Sequence, residues 1–368
     1  MRRSLRRIKC LSLRCQIESK VTEERNKKKA NERQAHPAFA PKAMKRFRIA
    51  HIGAGEWSRY AHGPTLQRLA EQDRVSLEVI CDLDIERARH FRDLFGYRGT
   101  SNDLHSVLQE VQPDAIVCTV QPTKTYDVVQ SLLPLRIPLL IEKPPGASAL
   151  EAKTLAAASI AAGTFTFVAF NRRFNPSIVR LKQWSDQHPI LFARAEMLRT
   201  NRIEPEFATA TGIHALDAIR FLMGDPESVD VRSRPHHNSS ARDYWIRLEF
   251  ANEAAAEISL MLNTGLRREY YLLTASGTAA EATLGFPYSS DHLFEGDRQW
   301  SQEKIVEQHS LTGDSLVDGG ISGEYEEFLR LLDSGAPSTC SLADAAFSMQ
   351  LAEAVQNEYS GPFPPLLD

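Results

Sequence analysis

The chain has 368 residues, 42% of them hydrophobic and 25% charged, an ordinary globular composition that is long enough for two domains. No apolar run approaches the roughly 18 residues that a membrane-spanning helix requires, so the sequence excludes that class of protein and predicts no membrane partner. The five cysteines show no CxxC spacing, and Cys81 and Cys118 fall in apolar runs. This excludes a disulfide framework and a structural zinc site, and it favours a reducing, cytoplasmic location.

Basic residues are concentrated at the start of the chain. Residues 1–44 contain 13 Lys or Arg against 4 Glu, a net charge of +9, which leaves −12 on the other 324 residues. The segment has one Phe, no Tyr or Trp and no motif of a nucleic-acid-binding module. We therefore predict a disordered extension and no nucleic-acid partner.

The same segment has two weak likenesses to targeting signals. Arg2-Arg3 is similar to the start of a twin-arginine signal, and the acid-free stretch to Ile17 is similar to a transit peptide. An export signal needs an apolar stretch of roughly 7–15 residues, which basic residues interrupt here. Because Met44 leads directly into the first predicted strand, we expect translation to begin there, and upstream peptides in the native protein would contradict this.

From residue 47 onward, short apolar runs alternate with longer amphipathic segments, a pattern typical of a βαβ array. Strands are predicted at residues 47–52, 77–81, 115–120, 137–141 and 164–170. Helices are predicted near residues 57–70, 84–95, 103–111, 124–133 and 148–162. This α/β pattern predicts a Rossmann-type, doubly wound parallel sheet, which we place at residues 45–170.

The pattern changes after about residue 175, which indicates a second α/β domain at residues 171–368. Helices are predicted at residues 176–187, 212–223, 324–332 and 342–358. Strands are predicted at residues 190–198, 228–233, 244–250, 254–262 and 270–275, with alternating polarity that indicates an antiparallel sheet with one covered face. Residues 285–320 are predicted to be a loop because they are rich in Gly, Ser, Asp and Pro.

A glycine-rich turn follows the first predicted strand. Its sequence is Gly53-Ala54-Gly55-Glu56-Trp57-Ser58, in which a small Ser replaces the third Gly or Ala of the dinucleotide fingerprint. The two glycines allow a tight turn and a close approach to a pyrophosphate, and the next helix presents its N–H groups to that anion. We predict cofactor contacts from Gly53 to Trp57; the alternative is an ordinary turn between a strand and a helix.

Asp82 directly follows the second predicted strand. Its carboxylate can accept hydrogen bonds from the adenosine ribose hydroxyls and would repel a 2′-phosphate, so we predict NAD rather than NADP. Asp82 lies 27 residues after Gly55, beyond the spacing of about 20 that is usual, and residues 70–76 account for the extra length. We interpret Arg87 as a surface residue of the next helix.

Glu142-Lys143-Pro144 stands at the carboxyl end of the predicted strand at residues 137–141. Ligands of open α/β sheets bind at such strand ends, so Lys143 is well placed for chemistry. Its ammonium can donate a proton to a carbonyl or carbinol oxygen, and a positive nicotinamide beside it would lower its pKa. The alternative is a surface lysine after a strand.

Together these motifs resemble the glucose-fructose oxidoreductase/inositol dehydrogenase/rhizopine catabolism family, from about residue 45 to about 355. The resemblance is carried by Gly53-x-Gly55, Asp82, Glu142-Lys143-Pro144, Asn171-Arg172-Arg173-Phe174-Asn175-Pro176 and Gly212-Ile213-His214-Ala215-Leu216-Asp217. It implies a Rossmann domain joined to an α/β domain with a large, mostly antiparallel sheet. It also implies a substrate cleft over the nicotinamide and a homo-oligomer formed through that sheet.

The resemblance makes His214 the second candidate catalytic residue. In relatives an Asp-x-x-x-His pattern orients the substrate and completes a proton relay with the lysine, whereas here Ala210 stands four residues before His214. Asp217 matches a supporting family position and either partly replaces the missing carboxylate or hydrogen-bonds His214. A lone His before an apolar helix can also be an ordinary core residue.

The resemblance also implies further contacts. Relatives use the Asn171-Arg172 segment to hold substrate or nicotinamide, and we prefer Arg172 because one of two adjacent arginines commonly forms an ion pair. Gln121 and Pro122 form a loop before Tyr126, which either edges the nicotinamide or packs as a helix-face aromatic. Three arginines give a faint indication of an acidic or phosphorylated ligand: Arg172, Arg173 and Arg202.

The leading hypothesis is an NAD-dependent oxidoreductase that moves a hydride between nicotinamide and a sugar, cyclitol or sugar derivative. Lys143 would be the acid or base, and His214 would orient the oxygen. One alternative is an NAD-binding sensor or regulatory protein with reduced redox chemistry, motivated by Ala210. Another is the NAD-assisted glycosidase branch of the family. No metal is predicted, because the His236-His237 pair lies in a polar turn without other ligands.

Overall fold

The computed structural model describes residues 45–236, 239–285, 290–296, 303–310 and 312–364. The basic extension at residues 1–44, including the expected start at Met44, lies outside the described residues, as does His237. Within the described parts of the chain, no helix combines the length and apolarity needed to cross a membrane.

The first sheet consists of parallel strands only. Its strands are β1 (Phe47–Ile52), β2 (Val75–Cys81), β3 (Gly99–Ser101), β4 (Ala115–Cys118), β5 (Leu139–Glu142) and β6 (Thr166–Ala169). They are arranged in the order β3-β2-β1-β4-β5-β6. The chain reverses direction across the sheet between β1 and β4, so the carboxyl ends of these strands frame the crevice where such sheets bind ligands. The predicted Rossmann-type sheet is confirmed, and the short edge strand β3 was not predicted.

Five α-helices cover this sheet. They are α1 (Gly63–Glu71), α2 (Ile85–Phe95), α3 (Leu104–Val111), α4 (Pro122–Leu132) and α5 (Ala149–Ala162). The predicted helix at residues 57–70 begins as a π-helical turn, Ser58–His62, and continues as α1. Side-chain caps fix the starts of α2 and α5, where Asp84 and Ser148 accept hydrogen bonds from first-turn N–H groups. The helices thus start where the sequence offers a cap.

The second sheet is mostly antiparallel, as predicted. Its strands are β7 (Phe192–Leu198), β8 (Ser228–Pro235), β9 (Arg242–Glu249), β10 (Ala255–Met261), β11 (Arg268–Ala275), β12 (Thr278–Leu284), β13 (Ser290–Gly296), β14 (Glu303–Ser310) and β15 (Gly361–Pro362). The order is β14-β13-β12-β11-β7-β10-β9-β8-β15, and among the described strands of this second sheet only β7 and β10 pair in parallel. Side chains alternate between a buried and an exposed face, as in β9, where Ile246 and Leu248 are buried and Arg247 is exposed.

The prediction of a loop at residues 285–320 is wrong, because this region contains β13, β14 and the short helix α8 (Ser315–Asp318). Both strands are polar along most of their length, so hydrophobic periodicity gave little signal. Strand β12 was missed because five of its seven residues are Ala or Thr at positions without a strong alternation. Pairing with a neighbouring strand, rather than burial of apolar side chains, defines these elements.

The other helices of this domain are α6 (Pro176–Ser185), α7 (Ile213–Met223), α9 (Ile321–Ser334) and α10 (Leu342–Gln356). A second π-helical turn, Ala208–Gly212, leads into α7. Helix α9 packs against the first sheet, where the rings of Phe328 and Phe167 lie 5.7 Å apart. The N–H of Val168 in β6 also donates to the carbonyl oxygen of Cys340 at 2.6 Å. The end of the chain therefore completes the packing of the Rossmann domain.

Candidate active site

The glycine-rich turn places its two glycines under different constraints. Gly53 has a φ of +99°, and a Cβ atom there would lie 2.7 Å from the carbonyl oxygen of Thr119. A Cβ atom on Gly55 would meet nothing within 4 Å. Contacts within the protein therefore explain why residue 53 must be a glycine, but they do not explain the glycine at position 55. The open position beside Gly55 fits the close approach of a pyrophosphate that a dinucleotide site requires.

Ser58, at the third position of the fingerprint, is buried beneath this turn. Its Oγ lies 2.9 Å from Nε2 of the buried His51, whose Nδ1 lies 2.7 Å from the hydroxyl of Tyr97. Burial, with the charge of His62, keeps the pKa of His51 well below its ordinary value. A hydroxyl thus satisfies a buried imidazole at the position where Gly or Ala is usual.

The carboxylate of Asp82 contacts the same turn. Its Oδ2 accepts the N–H of Ala54 at 2.8 Å, and its Oδ1 accepts a hydrogen bond from Arg87 at 2.6 Å. Burial opposes ionisation of Asp82, but the hydrogen bonds from Arg87 and the main chain lower its pKa. Arg87 is therefore more than the surface residue that the sequence suggested, because it holds the carboxylate beside the cofactor loop.

Glu142 joins the loop to the end of β5. Its Oε1 accepts hydrogen bonds from Trp57 Nε1 at 2.7 Å and from His62 Nε2 at 2.8 Å, and its Oε2 accepts the N–H of Lys143 at 2.9 Å. Nδ1 of His62 lies 2.8 Å from the hydroxyl of Tyr325 on α9. Burial disfavours the charged carboxylate, yet His62 and Lys143 lower the pKa of Glu142. His62 and Tyr325 were missed by sequence reasoning, since the contacts join distant parts of the chain.

Lys143 lies at the centre of the candidate site. Its Nζ donates a hydrogen bond to the main-chain carbonyl oxygen of Ala210 at 2.8 Å. Burial lowers the pKa of Lys143 to about 8, against the opposing charge of Glu142. Three guanidinium groups contribute to this lowering in the same direction as burial: Arg172, Arg202 and Arg199. A substantial fraction of the lysine is therefore neutral at mildly alkaline pH, as an acid or base catalyst requires.

His214 is buried near Lys143, and its Nδ1 has no hydrogen-bond partner among the described residues. Burial, together with the charges of Arg172, Lys143 and Arg199, holds the pKa of His214 well below its ordinary value. The ring is therefore neutral at physiological pH. An unpaired buried ring nitrogen costs free energy unless a ligand satisfies it, so His214 is suited to contact a substrate oxygen.

Asp217 belongs to a different set of contacts from His214. Its Oδ2 and Oδ1 accept hydrogen bonds from Arg173 at 2.8 and 2.6 Å, and Oδ1 also accepts from the hydroxyl of Ser348 at 2.7 Å. Asp217 is completely buried and has no hydrogen bond to His214. The expectation that it supports His214 or binds substrate is corrected, because the structure uses it in a buried ion pair.

Arg172 and Arg199 share one carboxylate. Arg172 donates to Glu269 Oε1 at 2.6 Å, Arg199 donates to the same oxygen, and Tyr271 donates to Oε2 at 2.9 Å. Although burial opposes ionisation, the two guanidinium groups keep the pKa of Glu269 well below its usual range. Oδ1 of Asn171 accepts from Arg172 at 3.1 Å, which fixes the guanidinium. Sequence reasoning missed Glu269, although a carboxylate at an inward position of a strand signals a buried partner.

A pocket of about 390 Å³ opens beside this cluster. Its lining includes Arg172, Arg199 and Asn171, and also Trp57 from the glycine-rich turn. Lys143 and His214 do not line the pocket, but two residues that do, Arg172 and Arg199, depress the pKa values of both. A concave site with a few convergent polar groups is typical of small-molecule binding.

The other predicted positions lie at the margin of this region. Gln121 and Pro122 are exposed at the start of α4, and Tyr126 is partly buried against the hydrophobic core. This packing supports the helix-face interpretation of Tyr126, and its contact with nicotinamide stays a prediction. His236 is 2.8 Å from Asp243 Oδ1.

The relatives with curated functions are distant. D-apiose dehydrogenase of Paraburkholderia graminis is 26% identical over 198 residues, which are 50% of this chain and 51% of that protein. Myo-inositol 2-dehydrogenase of Thermotoga maritima is 22% identical over 191 residues, which are 49% of this chain and 55% of that protein. The matched region thus spans about half the length of each relative.

Solved structures show the same fold over most of the chain. An oxidoreductase from Agrobacterium radiobacter, in complex with NAD+, L-tartaric acid and magnesium, has a TM-score of 0.71 at 19% identity and covers 88% of this chain and 100% of its own. Levoglucosan dehydrogenase, in complex with NADH and L-sorbose, has a TM-score of 0.75 at 14% identity with the same coverage.

Two family models match the sequence. The model of an oxidoreductase family with an NAD-binding Rossmann fold matches residues 47–170, and the model of that family's C-terminal alpha/beta domain matches residues 204–361. Together they span more than half of the chain. The protein therefore belongs to the glucose-fructose oxidoreductase/inositol dehydrogenase/rhizopine catabolism oxidoreductase family, as its motifs predict.

Proposed function

We propose that the protein is an NAD-dependent oxidoreductase acting on a hydroxyl-bearing carbon of a sugar, cyclitol or sugar derivative. One observation carries the proposal: Lys143, with a pKa of about 8, lies at the carboxyl end of a Rossmann strand near a neutral His214, whose Nδ1 has no hydrogen-bond partner in the described part of the chain. A lysine tuned toward the working pH is suited to proton transfer with a substrate hydroxyl.

The residues divide into two functional groups. The segment Gly53–Trp57 with Asp82 would hold the dinucleotide, with Gln121, Pro122, Tyr126 and Glu142 around the nicotinamide. Bound nicotinamide would supply the hydride acceptor or donor. The neutral amine of Lys143 accepts the hydroxyl proton during oxidation, and its ammonium returns a proton during reduction. His214 orients the same oxygen, while Asn171 and Arg172 contact the rest of the substrate.

The choice of NAD over NADP is supported by Asp82, whose lowered pKa keeps a negative charge beside the loop. We further propose a cytoplasmic homo-oligomer formed through the outer face of the nine-stranded sheet. That face carries partly exposed apolar side chains, including Trp245 at 40% exposure. Light scattering on purified protein tests the oligomer, and a Trp245→Glu variant is expected to reduce its mass.

The test of the activity is the absorbance of NADH while the protein and NAD are offered sugars, sugar acids and inositols. A substrate-dependent rise is expected. Lys143→Met should lower kcat by about 100-fold or more while NAD still binds. Lys153→Met, on α5 and outside the pocket lining, is the matched control and should keep normal turnover. Full activity of Lys143→Met would remove the lysine from the mechanism.

Ala210 favours a second candidate, an NAD-binding sensor with reduced chemistry. The main chain at Ala210 contacts Lys143, and the family resemblance implies an aspartate at this position. This alternative predicts NAD and sugar binding, detected by calorimetry, with no turnover in either direction. An NAD-assisted glycosidase would instead release sugar from a glycoside without net NADH, so glycosides belong in the same panel.

A further inference from the structure

The pocket beside Arg172 has an unbalanced charge. Its lining contains four arginines but only two carboxylates, Glu269 and Asp318. Glu269 is held by Arg172, Arg199 and Tyr271. Both carboxylate oxygens of Asp318 accept hydrogen bonds from the turn at Thr312 and Gly313. The acidic groups are therefore committed to protein contacts, and the pocket retains positive charge.

That positive charge belongs to Arg267 and Arg268, which precede the buried Glu269 in the chain. Both residues line the pocket and are exposed, and neither forms an ion pair with a described residue. By contrast, Arg173 and Arg202, which the sequence suggested for an acidic ligand, pair with Asp217 and Glu204. Exposed guanidinium groups that have no ion-pair partner in the described part of the chain suit the oxygens of a carboxylate or phosphate.

Two aromatic residues also line the pocket. Trp57 and Tyr60 stack with ring centroids 5.6 Å apart, and they remain 44% and 62% exposed. Their indole and phenol faces offer apolar area to the C–H face of a sugar ring. Trp57 is also anchored to Glu142, so this aromatic surface is held next to Lys143.

From this arrangement we propose that the substrate is an anionic sugar derivative, with a carboxylate or phosphate bound by Arg267 and Arg268 and its ring against Trp57 and Tyr60. This inference rests on the proposed oxidoreductase function. It makes Arg267 and Arg268 determinants of specificity rather than catalytic residues. It also predicts that a neutral sugar of the same shape binds more weakly.

The test uses matched triads of hexoses: the neutral sugar, its 6-carboxylate and its 6-phosphate, in the gluco, galacto and manno series. Binding in the presence of NAD is measured by thermal shift and calorimetry, and turnover by NADH absorbance. At least one anionic member should bind about tenfold or more tightly than its neutral parent. The carboxylate and phosphate arms identify which anion is recognised.

The double variant Arg267→Gln/Arg268→Gln should lose the preference for the anionic over the neutral sugar. Its KM for the anionic substrate should rise about tenfold or more, with kcat changed little. Arg330→Gln, on an exposed part of α9 outside the pocket lining, is the control and should behave as wild type. Equal binding of neutral and anionic members, or no binding of any, overturns the inference. Anion-selective binding without NADH formation supports the inference and contradicts the proposed redox function.

Discussion

Nζ of Lys143 donates a hydrogen bond to the main-chain carbonyl oxygen of Ala210, 2.8 Å away. Ala210 lies in the π-helical turn Ala208–Gly212, and π-helical turns occur frequently at functional sites. A carbonyl dipole positions the ammonium without the full negative charge that a carboxylate would add. The pKa of Lys143 therefore stays near 8, since only Glu142 opposes burial and the nearby arginines.

The first prediction concerns pH. Oxidation requires the neutral amine, so kcat/KM should rise about tenfold per pH unit below the pKa of Lys143 and level off above about 8. Reduction requires the ammonium and should decline as the pH rises through the same range. Glu142→Gln removes the charge that favours the ammonium and should move the midpoint to lower pH. A midpoint unchanged by Glu142→Gln would contradict the charge coupling.

The second prediction separates the two glycines of the cofactor loop. Gly55→Ala should leave the melting temperature unchanged, because its Cβ meets no protein atom within 4 Å, but it should weaken NAD binding about tenfold. Gly53→Ala should lower the free energy of unfolding by about 1–3 kcal/mol, because of the clash with Thr119 and the positive φ. Calorimetric titration with NAD and thermal unfolding distinguish the two effects. Normal NAD affinity in Gly55→Ala would argue against a pyrophosphate beside this residue.

The third prediction concerns cofactor choice. Asp82→Asn removes the carboxylate charge and frees Arg87 from its ion pair. The ratio of NADP affinity to NAD affinity should therefore increase about tenfold or more, because the guanidinium becomes free to meet a 2′-phosphate. Asp93→Asn, an exposed position on α2, serves as the control in the same fluorescence titrations. If wild-type protein already prefers NADP, the assignment of Asp82 is wrong.

The fourth prediction concerns the buried pair of Arg173 and Asp217. Asp217→Asn should reduce the free energy of unfolding by about 3 kcal/mol, since it leaves a buried guanidinium with only Asp344 as a charged partner. Asp186→Asn, in an exposed pair with Lys182, should cost less than about 1 kcal/mol. Urea unfolding measures both. Because Asp217 lies outside the cleft, the NAD affinity of the folded variant should stay normal. A selective increase in KM for the substrate would instead indicate that Asp217 has a role in substrate binding.

The sequence was informative wherever a function depends on neighbours along the chain. The turn at Gly53, the position of Asp82 and the placement of Lys143 at a strand end follow from local patterns. The contacts around Glu142 could not be predicted, because His62 bonds to Glu142, and Tyr325 on α9 bonds to His62, only after distant parts of the chain have packed together. The role of Asp217 was predicted wrongly for the same reason, because residue spacing on α7 does not reveal its contact with Arg173.

Glu269 shows what a closer use of strand alternation could have found. It occupies the buried face of β11 with Tyr271 and Leu273. A carboxylate in that position requires positively charged partners, and the chain contains many arginines that could pair with it. Those partners are Arg172 and Arg199, which lie 97 and 70 positions before Glu269 in the chain. No local sequence pattern identifies contacts between residues so far apart.

Strand β6 forms the edge of the Rossmann sheet, yet its Val168 N–H is bonded to Cys340, and its Thr166 hydroxyl accepts the N–H of Leu342 at 3.1 Å. Unpaired sheet edges favour association with other chains. During synthesis the nucleotide-binding half leaves the ribosome first, but this edge stays uncovered until Cys340 has emerged. A prematurely terminated chain would therefore carry a nearly complete Rossmann sheet with an open, aggregation-prone side.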